Sequence, residues 1–156
     1  MANAKEVLET AIEMERKVAS IYRVFHNKFV GDEKHEQLWR TLAGEEDAHA
    51  AFLRNELSML ERVPGAFAGT SVKLDELKAA NAVLDGHLAY AEKGGYSGAD
   101  ALCLAAKIEH TLVEAAYTRL IKVTSPVLAR IFEDLTKDDH KQKLMEAIKA
   151  AGVECK

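Results

Sequence analysis

Only two prolines interrupt these 156 residues, at positions 64 and 126, and that scarcity constrains the fold more than any other feature. A helix interior tolerates proline least of all residues, and the stretches between are rich in Ala, Leu, Glu and Lys, which favour helix. Four long amphipathic segments can be read. The first runs from about Asn3 to Val30, where Gly31 can terminate it. The second starts near Asp32 as N-cap and runs to about Arg62, stopped by Pro64 and Gly65. Residues 63–99 read as a crossover, with a loop at Val63–Ser71, a shorter helix from Leu74 to about Glu92 and a break at Gly94 and Gly95. The third long helix spans about Ala99 to Val123, and Ser125 with Pro126 reads as N-cap and first-turn proline of the fourth, about Pro126 to Ala151. The expectation is one all-α domain over residues 1–156. It is a four-helix bundle with one long crossover, containing a short helix, between helices 2 and 3.

Composition narrows the function classes. The formal net charge of −4 and the lack of a basic tract or aromatic–basic stripe argue against nucleic acid as a partner. Nothing approaches the ~20 apolar residues of a membrane span. The first twenty residues, charged at Lys5, Glu6, Glu9, Glu13, Glu15, Arg16 and Lys17, hold no signal-peptide core. A cytoplasmic protein is expected. Cys103 and Cys155 are solitary and far apart, with no Cys-x-x-Cys for an iron or zinc site. A disulfide between them is not the favoured expectation in a reducing compartment, and Cys103 reads as a small buried hydrophobe.

The polar residues on the apolar stripes carry the chemistry. At about 100° per residue, Glu15 falls inside the stripe of Leu8, Ala11, Ile12, Ala19 and Tyr22, while Glu13 points away. Glu46 falls between Leu42, Ala43 and Leu53, with His49 one turn on, so the acid and the imidazole project from one face. Glu109 is flanked by Ala105, Ile108, Leu112 and Ala116. An isolated Glu on such a stripe is usually a buried acid paired with Lys or Arg. Three helices that each bury a carboxylate, one of them with a His three residues on, form a different pattern. Bare, these groups repel and take up protons. Iron or manganese neutralises them and suits oxygen and imidazole donors.

The fourth helix carries no second Glu-x-x-His, and two registers compete. In one, His140 is the ligand and Lys137 takes the Glu position. In the other, Asp139 stands for Glu and Gln142 for His. Leu128, Ile131, Phe132 and Leu135 define a face that Asp139 and Gln142 continue, and the spacing agrees: Glu15 to Glu46 is 31 residues, Glu109 to Asp139 is 30. Asp139 is favoured, although a stripe drifting toward Leu144 and Ile148 leaves His140 open.

Met14-Glu15 with Ala19 and Tyr22, Leu42-Ala43 with Glu45-Glu46 and His49, and Ala101-Leu102 with Ala105, Glu109 and Tyr117 together resemble the rubrerythrin-like branch of the ferritin-like superfamily. The resemblance implies a ferritin-like bundle with a non-haem di-iron centre, held by Glu from helices one and three and Glu-x-x-His from helices two and four. Carried over, it gives Glu15, Glu46, His49 and Glu109 as metal ligands, with Asp139 as a conservative replacement. The further helix-three Glu of such proteins falls at Leu112 and is missing. Tyr22 and Tyr117 match bundle tyrosines, which hydrogen-bond a carboxylate ligand or take part in electron transfer; the structural alternative is an aromatic core residue with a satisfied hydroxyl. His26 and His35 read as satisfied core or cap histidines, His110 and His87 as solvent-facing, and Trp39 as core or dimer interface.

Three functions are then in view. The first is a redox protein reducing peroxide or dioxygen, coupled to iron oxidation, at a di-iron or mononuclear site, with a separate electron donor. The second is a metal carrier or sensor without turnover. The third is a structural bundle whose metal site has degenerated at helix four. A homodimer is expected by analogy only.

Overall fold

The computed structural model describes residues 2–67, 70, 72–110 and 140–156, of which Ala2, Asn3, Ala66 and His140 are described by their backbone alone. Helix α1 spans Ala2–Lys28, α2 Glu33–Arg62, α3 Leu74–Glu92, α4 Gly98–Ile108 and α5 His140–Ala150; a single 3₁₀ turn at Pro64–Ala66 follows α2. The architecture is all-α. The observed α3 has the expected bounds, and α1 and α2 agree with the expected helices to within two residues at either end.

Local chemistry accounts for the boundaries. Gly31 takes a left-handed φ of 99° between α1 and α2, a conformation open to glycine at little cost. Asp32 stands at the N-cap position of α2, but its side chain makes no capping bond and pairs with His35 instead. The expected cap is thus a side-chain contact within the first turn. At the end of α3, Gly94 has φ 75°. The N–H of Gly95 reaches the Tyr90 carbonyl at 3.0 Å and that of Gly94 the Ala91 carbonyl at 2.8 Å, the paired bonds that close a helix through a left-handed glycine. Ser97 caps α4, accepting from the Asp100 N–H at 3.1 Å.

The most extensive packing joins α1 to α2, followed by α1 to α3; α4 packs on α5, and α5 also touches α2. The inward residues expected of α1 (Leu8, Ala11, Ile12, Ala19 and Tyr22) are all buried, as are Leu42, Leu53 and Leu60 of α2; Leu38 and Leu57 are partly buried against the same core. Each fully buried Leu, Ile or Phe contributes roughly 1.5–3 kcal/mol. Trp39 belongs to the core, 1 % exposed, with its ring centroid 5.8 Å from Tyr22 and 5.0 Å from Phe25.

Candidate metal centre

Four helical turns converge on one polar spot in this apolar interior. Glu15 projects from the middle of α1 and Glu46 from the middle of α2; the first is 2 % exposed and the second 0 %. His49, one turn beyond Glu46 on the same face, places Nδ1 3.3 Å from Glu46 Oε2 and 3.6 Å from Glu15 Oε2. One ligand atom from each of these three residues lies within 4.8 Å of the others. Glu109 follows the last α-helical residue of α4, where the ladder widens into a π turn at Glu109 and His110. Such turns recur at functional sites because they re-aim a side chain.

Glu109 is 4 % exposed, and its Oε1 accepts a hydrogen bond from the Tyr22 hydroxyl at 2.6 Å. Burial pushes the Tyr22 hydroxyl well above its ordinary pKa, and the charges of Glu109, Glu46 and Glu15 push it further. All three carboxylates therefore act on a single buried phenol, which stays protonated and donates. Acids from α1, α2 and the end of α4 share one neighbourhood, as their positions on the apolar stripes require.

The donor set fits a cation of the expected kind. First-row divalent ions hold oxygen and nitrogen ligands at about 2.0–2.2 Å, so atoms sharing one ion lie up to about 4.4 Å apart. The atoms of Glu15, Glu46 and His49 need only small side-chain adjustments to reach that range. Two carboxylates and an imidazole suit iron or manganese.

The fourth-helix expectation divides. Asp139, Lys137 and Tyr117 lie outside the described residues, and of His140 only the backbone, opening α5, is described. Gln142, however, is exposed and donates to Glu146 at 2.9 Å. The expectation that Gln142 continues the inward face is overturned. Leu144 and Ile148 are the buried residues of α5, and a position two before Leu144 is rotated by about 200° from it.

Two further readings are corrected. Cys103 and Cys155 are joined in a disulfide, with Cα atoms 5.4 Å apart, where a buried free thiol was expected of Cys103. The tail explains it: Gly152 adopts φ 63° after α5, and the Val153 N–H reaches back to the Ile148 carbonyl at 3.1 Å, turning the last residues toward α4. A separation of 52 residues hid the pairing, and the cysteines no longer speak for a reducing compartment. His87 is half-buried, not solvent-facing, because its Nδ1 lies 2.7 Å from the Tyr96 hydroxyl. His110 is exposed as expected.

Glu56 was missed. It is 3 % exposed, and burial raises its pKa. The signal was present, since positions 46, 49, 53, 56 and 60 recur at three- and four-residue steps along one face of α2. Lys143 of α5 also pairs with Glu45 at 3.1 Å, a tie between the last helix and the turn that carries Glu46. Among the described residues no helix is long and apolar enough to cross a membrane.

No curated protein and no solved structure matches the chain. The family model for rubrerythrin matches residues 6–122, three quarters of the sequence, and takes in Glu15, Glu46, His49 and Glu109. The all-α bundle is accordingly ferritin-like, and the chain belongs to the rubrerythrin family.

Proposed function

We propose that this chain is a non-haem iron protein with redox activity toward peroxide or dioxygen. Glu15, Glu46 and His49 hold the ion, Glu109 adds a further carboxylate, and Asp139 is the candidate from the fourth helix. The observation that carries the reading is the meeting of two buried carboxylates and an imidazole from two helices, with donor atoms inside 4.8 Å. When bound, iron supplies a Lewis acid and the electrons for reducing the oxidant. The protein's own part is positioning. The i, i+3 pair on α2 fixes acid and imidazole on one face, burial excludes water, and the Tyr22 hydroxyl orients Glu109 by donating to its Oε1. The electrons are restored by a separate donor.

A second reading, a metal carrier without turnover, is favoured by Gln142. With that residue turned to solvent, it supplies no donor to a second metal position. Anaerobic titration with ferrous iron tests the binding: the native chain takes up at least one equivalent, and Glu46→Ala takes up none. Peroxide consumption by the loaded protein, compared with the same iron free in buffer, separates the two readings. Uptake below one equivalent by the native chain removes both.

A further inference from the structure

A file of aromatic rings leads from the carboxylate centre to the surface. It starts at Tyr22, whose hydroxyl rests on Glu109. Trp39 follows at a centroid distance of 5.8 Å, then Phe25 at 5.0 Å from Trp39. Tyr96 stands edge-on to Phe25 at 5.7 Å, and Tyr90 edge-on to Tyr96 at 4.8 Å. Tyr90 is 52 % exposed. The rings come from α1, α2, α3 and the turn before α4, so no single helical stripe generates the file.

Filling the core needs only apolar bulk, yet this file contains the chain's one tryptophan and three tyrosines, the side chains most readily oxidised by one electron. A phenol gives up an electron readily only when its proton can leave at the same time. Both inner phenols have an acceptor in place: Glu109 Oε1 at 2.6 Å for Tyr22 and His87 Nδ1 at 2.7 Å for Tyr96. Burial and the nearby Lys107 hold the His87 pKa below its ordinary value, so it is the neutral ring that faces the Tyr96 hydroxyl. Trp39 differs: its indole N–H is buried with no hydrogen-bond partner among the described residues, so it exchanges an electron without moving a proton.

The outer end is shaped for its rings. A Cβ on Gly95 would collide with the Tyr90 ring, so glycine there lets Tyr90 lie against the turn and meet Tyr96. Lys28 Nζ donates to the carbonyls of Gly94, at 2.7 Å, and Tyr96, and so ties the turn to α1.

We propose that Tyr22, Trp39, Phe25 and Tyr96 form an electron-transfer route joining the carboxylate centre to a surface entry at Tyr90 and His87, where an external one-electron reductant meets the protein. This rests on the iron reading of the centre. With iron bound at the centre, Tyr22 would give one electron toward it and its proton to Glu109. Trp39 then returns an electron to Tyr22, which recovers its proton from Glu109. Tyr96 passes an electron across Phe25 to Trp39 and its proton to His87. The reductant, meeting the exposed Tyr90 ring, supplies one electron through it to Tyr96, which takes its proton back from His87. The net change is one electron moved inward, with no residue altered.

Flash oxidation of metal-free protein tests the route independently of iron. Because Trp39 is the sole tryptophan, ultraviolet excitation with a soluble electron acceptor places the first hole on it. In Tyr22→Phe, the indolyl absorption gives way to tyrosyl absorption at a rate independent of protein concentration, and replacing His87 with Phe in that background slows the change. In Tyr22→Phe/Tyr96→Phe the conversion is lost. Absence of conversion in Tyr22→Phe, or its persistence at an unchanged rate in the double variant, overturns the route. A second arm treats iron-loaded protein with peroxide and maps oxidised residues by mass spectrometry. Marks at Tyr90 in the native chain that retreat to Tyr22 in Trp39→Phe support the route; marks at Tyr90 in both overturn it. If no iron loads, this arm counts against the metal reading alone, and the flash experiment still decides the route.

Discussion

The Tyr22 hydroxyl donates to Glu109 Oε1 at 2.6 Å across 87 residues of sequence, joining the middle of α1 to the π turn that ends α4. Both groups are buried, so neither can turn to water for a replacement. Tyr22→Phe keeps the ring and removes one donor to Glu109, a loss worth about 1–3 kcal/mol at a buried acceptor. Urea denaturation of metal-free protein should show a loss in that range with an unchanged m-value. A loss within error of zero means Glu109 reorients and the contact has no structural weight.

Metal binding to the folded centre must appear as stability. An ion that binds the native state alone stabilises it by about 2.7 kcal/mol when free ligand is a hundredfold above its Kd. Anaerobic ferrous iron should therefore raise Tm in proportion to the logarithm of its concentration. His49→Ala, which removes the imidazole from the three-donor cluster, should abolish the rise while leaving the metal-free Tm within a few degrees. An equal rise in the variant places the ion somewhere other than this cluster.

The bundle and half of its centre were legible in the sequence because both depend on periodicity. Glu15 and Glu46 sit on stripes whose neighbours are unambiguously apolar, so their burial follows from helical geometry alone. The same reasoning failed at Gln142, where the stripe of Leu128, Ile131 and Leu135 was extended forward; the buried face of α5, marked by Leu144 and Ile148, is turned away from that extrapolation. A phase error of a few degrees per turn accumulates over a long helix, and only packing fixes the result. That Tyr22 bonds a carboxylate ligand was legible from the resemblance, and Glu109 is that carboxylate; the pairings of Cys103 with Cys155 and Tyr96 with His87 were illegible for another reason. Each depends on where a turn aims the chain, and no local pattern records that.

The disulfide gives a prediction that follows from chain length. Cys103 and Cys155 are 52 residues apart, and closing a loop of that length restricts the unfolded chain by up to about 4 kcal/mol in the chain-entropy account. Cys155→Ser should lose about 2–4 kcal/mol in urea denaturation. Dithiothreitol should bring the native protein down to the variant's stability and leave the variant unchanged. A reductant effect of similar size in Cys155→Ser contradicts the pairing.

His87 makes stability depend on pH with a definite sign. Its ordinary pKa is 6.5, and in the folded protein burial lowers it, with the positive charge of Lys107 adding to the effect. As pH falls below 6.5 the unfolded chain binds a proton that the folded chain still refuses, so stability contributed by the neutral imidazole is complete above 6.5 and lost on acidification until the folded pKa is passed. His87→Gln cannot titrate and should show a shallower decline in unfolding free energy below pH 6.5 than the native chain. Lys107→Met should raise the His87 pKa read from its imidazole NMR shifts and flatten the same decline. Parallel curves for the native chain and His87→Gln would show that His87 does not carry the acid sensitivity.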